Sequence, residues 1–111
     1  MCIPVIIQPL VEQAFHDQLP YRDMALFHSS SDLSSLPDAL RAVSARRVCE
    51  LRRAAARYYR AVVWEEPDGL AYDVLQLSLC QRAAALHARH HPGVAEPAWA
   101  ACARVKVEEL L

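Results

Sequence analysis

The sequence predicts an α/β chain in which two short parallel strands are followed by three or four α-helices. Three observations carry this. Ile3-Pro4-Val5-Ile6-Ile7 is a short apolar, β-branched run closed by Gln8 and Pro9, the pattern of a strand buried on both faces of a parallel sheet. Met24-Ala25-Leu26-Phe27-His28 reads as a second short buried strand, and the 16 residues between the two suit a crossover better than a tight hairpin. After Ser34 the pattern changes to apolar residues at every third or fourth position, which is the period of a helix.

Composition bounds what such a chain can be. With 111 residues, 54% of them apolar and 23% charged, it is one globular domain at most. A domain of that size buries roughly 60–70% of its unfolded surface, enough for a core. Twelve basic residues against thirteen acidic ones leave no net field to draw in nucleic acid or an anionic membrane. There is no run of eighteen apolar residues, and the amino terminus lacks a basic segment followed by a long apolar stretch, so neither a membrane span nor a signal peptide is expected in this chain. Cys2, Cys49, Cys80 and Cys102 are far apart with no Cys-x-x-Cys pair, which excludes a zinc ribbon and a dithiol redox motif. Free buried thiols are the expected state. Disulfides in an oxidising compartment are the alternative, and the sequence does not choose among pairings.

In open α/β sheets ligands lie just outside the carboxyl ends of the strands, so residues 8–15 are where a site belongs. Leu19-Pro20-Tyr21-Arg22-Asp23 reads as a turn before the second strand. Ser29-Ser30-Ser31-Asp32 reads as a polar loop, without the glycines that let a backbone close on phosphate. Ser34 or Ser35 then caps a short helix with Pro37 in its first turn, Asp38 near its positive end, and Leu36, Leu40 and Val43 inward.

Ser44 breaks or caps, and a longer helix is predicted over about 46–64. Val48, Leu51, Ala55, Tyr58 and Val62 form its apolar stripe, with Arg46, Arg53, Arg57 and Arg60 largely elsewhere. With Glu50 and Glu65 or Glu66 as partners, those arginines read as a solvated face rather than a phosphate site. Tyr58, Tyr59 and Trp64 read as packing residues.

Glu66-Pro67-Asp68-Gly69 is a turn in which Asp68 is placed to cap the next helix, over 70–90. That helix is apolar on two stripes, Val74, Leu77 and Ala84 on one and Leu75, Leu79 and Leu86 on another, so it expects two partners. Pro92-Gly93 ends it, and Trp99, Cys102, Ala103 and Leu110 suggest a weaker helix after Pro97. His87 and His91 lie one turn apart, but a third ligand and a His-Glu-x-x-His motif are absent, so no metal site is expected. No nucleophile triad, glycine-rich loop or P-loop is present, and no cofactor is implied.

A resemblance enters at the first strand. Cys2-Ile3-Pro4-Val5-Ile6-Ile7 is similar to the Gly-Cys-Ile-Pro-Val-Ile signature of the exostosin family of glycosyltransferases, whose Pro-Phe pair has its Phe eleven residues after the first proline; Phe15 stands eleven residues after Pro4. Leu19-Pro20-Tyr21, Leu36-Pro37-Asp38-Ala39-Leu40-Arg41-Ala42-Val43, Leu51-Arg52, Tyr58-Tyr59-Arg60-Ala61 and Val63-Trp64 follow the order and spacing of the family's carboxyl-terminal region. The likeness covers roughly residues 1–90 and is nearest to plant and green-algal members. Met1, Pro9 and Ala14 stand where the family has glycine, an acidic residue and proline.

The resemblance implies a fragment of a Rossmann-like domain, the carboxyl-terminal part of the donor-binding half of a GT-B enzyme. On that reading residues 1–92 are the exostosin-like segment and 93–111 a helical tail outside it. The function implied is transfer of a sugar from a nucleotide donor to a glycan in the Golgi, with Glu12 at the nucleotide ribose and Gln8 and Gln13 hydrogen-bonding donor groups. The amino-terminal domain would precede this chain, which is therefore expected to be inactive alone. The alternative expectation is a non-catalytic helical interaction module of the same ancestry, binding through the uncovered apolar faces.

Overall fold

The computed structural model describes residues 2–8, 10–65 and 67–111. Met1 and Pro9, two of the positions that depart from the family pattern, and Glu66, a suggested arginine partner and the first residue of the predicted turn, lie outside the described residues. The chain forms two compact units, one made of residues up to His16 with Pro20–Tyr59, the other of Asp17–Leu19 with Arg60–Leu111.

In the first unit, β1 (Val5–Ile6) and β2 (Leu26–Phe27) pair in parallel, Val5 opposite Leu26 and Ile6 opposite Phe27. Both lie inside the runs at 3–7 and 24–28 and are shorter than them. Pro4 has no N–H to extend the ladder at one end, and Met24 is the last residue of a helical turn, α1 (Tyr21–Met24), where a simple turn was expected. Each strand has a single neighbour, so Val5, Ile6 and Leu26 are only half-buried. The burial on both faces that the run at 3–7 suggested is not reached.

Ser29 opens a 3-10 turn (Ser30–Ser35) in place of the predicted polar loop. Next comes α2 (Leu36–Arg41), with Pro37 in its first turn and Asp38 paired to Arg41 at 2.7 Å. Leu36, Ala39, Leu40 and Val43 line a cavity of about 100 Å³ with Val5, Leu26, Phe27 and His28, which puts the predicted inward face of α2 toward the strands. Ser44 starts α3 (Ala45–Tyr58), its hydroxyl accepting from the Arg47 N–H at 3.2 Å. This satisfies one of the amides left orphaned at a helix start. The predicted stripe is the buried one as far as the helix runs, with Leu51 fully buried, Tyr58 nearly so and Val48 and Ala55 half-buried, while Val62, its last predicted member, is exposed. Arg46 and Arg47 both reach Glu50, at 3.0 and 3.6 Å.

The α-helix ends at Tyr58 instead of running to 64, and passes into a 3-10 turn, Tyr59–Val62. Tertiary hydrogen bonds explain the early end. The Arg60 carbonyl, which a continuing helix would give to residue 64, accepts from the Leu70 N–H at 2.8 Å, and the Val63 carbonyl accepts from the Ala71 N–H at 3.1 Å. Arg60 is exposed, as expected of that face, but its guanidinium is engaged. Its Nε donates to the Asp68 carbonyl at 2.9 Å and its Nη1 to the Leu111 carbonyl at 3.4 Å.

In the second unit, α4 (Ala71–His90) follows with Leu70 at its cap position and no side-chain cap, so the cap expected from Asp68 is not made. Ala71, Val74, Leu77, Ser78 and Ala84 are buried. Only one of the two predicted stripes is covered: Leu75 is half-buried, while Tyr72, Leu79 and Leu86 are 63, 58 and 50% exposed. Asp17 accepts from the Ser78 hydroxyl at 2.7 Å and faces Arg82 at 3.5 Å, and Gln18 donates to Gln81 at 2.6 Å. Partial burial pushes the Asp17 carboxyl up, but the bond from Ser78, local hydrogen bonds and the Arg82 charge together bring it below the ordinary Asp value.

The tail forms 3-10 turns at Ala98–Arg104 and Val107–Glu109, not the α-helix that was expected. It packs on α4 within the second unit and buries Ala100 and Val107. Cys80 of α4 and Cys102 of the tail are joined in a disulfide across a Cα separation of 6.2 Å, while Cys2 and Cys49 are free and exposed. The expectation of four free, buried thiols is therefore corrected on both counts.

Candidate functional site

Because β1 and β2 are parallel, their carboxyl ends open on the same edge. The Leu26 N–H bonds the Pro4 carbonyl at 3.0 Å and the His28 N–H bonds the Ile6 carbonyl at 2.9 Å. Ile7 and Gln8 therefore leave the sheet beside His28 and Ser29. This is the edge at which α/β sheets bind ligands.

The loop after β1 carries the three predicted site residues and is held by its own polar groups. The Val11 N–H donates to the Gln8 carbonyl at 3.0 Å and the His16 N–H to the Gln13 carbonyl at 3.1 Å. The Gln13 amide donates to the Val11 carbonyl at 2.9 Å, and the Tyr21 hydroxyl to the Ala14 carbonyl at 2.8 Å. Phe15 takes a φ of 56° to complete the turn, a left-handed conformation costing a bulky residue about 1–3 kcal/mol. Gln8 is exposed, and Gln13 is half-buried with its amide committed to the loop, which leaves its side-chain oxygen as an acceptor. Glu12 has a side chain 78% exposed, 3.6 Å from the His16 imidazole. Leu10 and Val11, between these polar groups, are 98 and 55% exposed.

A second polar cluster, which the loop reading of residues 29–32 missed, stands after β2. His28 Nε2 lies 2.6 Å from the Asp32 carbonyl, and the Ser35 hydroxyl donates to Asp32 Oδ2 at 2.6 Å. Ser34 donates to Asp32 Oδ1 at 3.2 Å. A carbonyl only accepts, so His28 must carry its proton on Nε2. That proton prevents Nε2 from acting as a base toward Ser35, 3.4 Å away, and the Ser35 proton already goes to Asp32. The three residue types of a hydrolase triad are thus present in a connectivity that activates no nucleophile. Hydrogen bonds from Ser35 and Ser34 hold the Asp32 carboxyl below its ordinary value. The three residues lie within eight positions of one another, but an extended Ser29 and a kink at Asp32 join them, and no periodic pattern in the sequence announces either.

The predicted histidine pair is placed differently. The His87 and His91 rings lie 4.8 Å apart and the edge of Trp99 meets His87 at 5.8 Å. Among the described residues no group of three or more His, Cys, Asp or Glu side chains is arranged to hold a metal ion, and no helix is long and apolar enough to cross a membrane. Compared with protein-family models, curated proteins and solved structures, the chain matches none.

Proposed function

We propose that the chain is the carboxyl-terminal part of the donor-binding, Rossmann-like domain of an exostosin-type glycosyltransferase, acting on a nucleotide-sugar donor and a glycan acceptor. The observation that carries this reading is the common carboxyl edge of the two parallel strands, where Gln8 leaves the sheet beside His28 and the loop that carries Glu12 and Gln13 begins. Sugar transfer leaves a nucleoside diphosphate whose developing charge must be met by fixed donors. On this reading the Gln8 amide supplies such a donor, and the Glu12 carboxylate accepts from the ribose hydroxyls. The exposed Leu10 and Val11 give the loop an apolar face suited to packing against a further domain. The Cys80–Cys102 bond suits an oxidising compartment such as the Golgi lumen.

Chemical-shift mapping of the isotope-labelled chain with uridine and guanosine diphosphates tests the reading. With one edge of a cleft in hand, a Kd of roughly 1 mM or weaker is expected, about 4 kcal/mol of binding. Shifts should concentrate at Gln8, residues 10–13 and His28. No shifts, or shifts confined to other parts of the chain, would refute it, and micromolar binding would refute the idea that the site needs a second domain.

A second reading, a non-catalytic interaction module, is favoured by the uncovered stripe of Tyr72, Leu79 and Leu86 along α4. An interaction module keeps that stripe for a partner and shows no nucleotide shifts in the same titration.

A further inference from the structure

The tail after α4 has no strand and no α-helix of its own; its ordered turns are 3-10. Such turns have poor hydrogen-bond geometry and rarely persist unaided. What holds the tail on α4 can be named. Gln81 Nε2 donates to the carbonyls of Cys102 at 3.3 Å and Val105 at 2.8 Å, the Trp99 edge meets His87, and Ala100 and Val107 are buried. The facing surfaces are built of small side chains. Ala84, Ala85 and Ala88 of α4 stand across from Ala100 and Ala103, with Val94 and Pro97 beside them, around a cavity of about 470 Å³. Alanines across a cavity give little contact area for their length of chain. The Cys80–Cys102 bond, at the edge of this poorly filled interface, is its one covalent tie, and both cysteines are only half-buried.

We propose that Cys80–Cys102 is a redox clasp: oxidation closes the tail onto α4, and reduction lets residues 94–111 open while the rest of the chain stays folded. Closing breaks the S–H bonds of Cys80 and Cys102 and forms one S–S bond. The two electrons and two protons pass to a disulfide oxidant such as oxidised glutathione, which is cleaved to two thiols. Opening is the reverse exchange, in which two molecules of reduced glutathione attack in turn and leave as their disulfide. Removing a link that closes a loop of 22 residues lowers the closing equilibrium by at most about 300-fold, the loop-entropy value for a fully flexible loop, since residues 80–90 stay helical. The contacts that remain are two small buried side chains, the Gln81 bonds, the Trp99–His87 ring pair and the exposed Arg60 bond to Leu111.

The test uses the full chain with Cys2→Ser and Cys49→Ser, which removes the two exposed thiols and leaves a single possible pairing. Hydrogen exchange and trypsin cleavage after Arg104 and Lys106 are followed in oxidised and in reduced glutathione. The expected result is that reduction lowers protection of residues 94–111 by up to about 300-fold and speeds both cleavages, while α4 and the first unit keep their protection. Adding Cys80→Ser and Cys102→Ser reproduces the open tail in oxidising buffer. Unchanged protection on reduction, failure of Cys80 and Cys102 to pair in the oxidised chain, or a loss that spreads through α4 would each overturn the proposal.

Discussion

Replacing Gly69 with alanine separates two roles that glycine plays in this chain. A Cβ built on Gly69 falls 2.8 Å from the Glu65 carbonyl oxygen and closer still to that of Val63. Both are backbone atoms, so no side chain can swing aside. The same carbonyls accept the Gly69 N–H at 2.9 Å and the Ala71 N–H at 3.1 Å. Relieving the clash strains or breaks two bonds worth about 1 kcal/mol each, against a gain of about 0.4–1 kcal/mol from a stiffer unfolded chain. A net loss of about 1–2 kcal/mol is expected in Gly69→Ala, read as a lower denaturant midpoint at unchanged slope. Gly93 is the contrasting case, with a φ of 82° and open space around it. Gly93→Ala should cost about 1–2 kcal/mol from the left-handed backbone alone, and Gly93→Asn should recover part of that. Asparagine at Gly69 should recover nothing. A Gly69→Ala chain as stable as the parent, or one rescued by asparagine, would refute the close-approach argument.

Leu51→Ala should destabilise by about 2–5 kcal/mol in chemical denaturation, because Leu51 is fully buried, while Leu10→Ala at a 98% exposed site should leave the midpoint unchanged. In a chimera that joins this chain to the remainder of an active exostosin-type enzyme, Glu12→Gln should weaken donor binding by roughly 1–3 kcal/mol, the scale for a charged hydrogen-bond partner, with stability intact; unchanged donor affinity would remove Glu12 from the site. The folded Asp32 carboxyl titrates below its unfolded value, so its contribution is present above the unfolded pKa and fades as pH falls through the folded one. An NMR titration should place its midpoint below that of an ordinary Asp, and Ser35→Ala should move it upward; no movement would mean that the Ser35 bond is absent in solution.

What the sequence determined by itself was whatever local chemistry repeats with a fixed period. The short apolar runs at 3–7 and 24–28 marked both strands, and a separation too long for a hairpin gave their parallel sense. The stripe of Val48, Leu51, Ala55 and Tyr58 gave α3 its buried face, and the Ser44 cap its start. The position of the carboxyl edge of β1 was legible, since direction follows from chain order. The tertiary structure alone decided what depends on groups distant in sequence. It ended α3 at Tyr58 because residues 70 and 71 compete for the carbonyls of Arg60 and Val63, and it tied the exposed Arg60 guanidinium to the main-chain oxygens of Asp68 and Leu111. It chose Cys80 and Cys102 among four cysteines, because only packing of the tail on α4 sets the 6.2 Å separation that a disulfide requires. It also brought His28 to Asp32 and Ser35, since a polar run without apolar period has no preferred face until a neighbouring strand fixes where it begins.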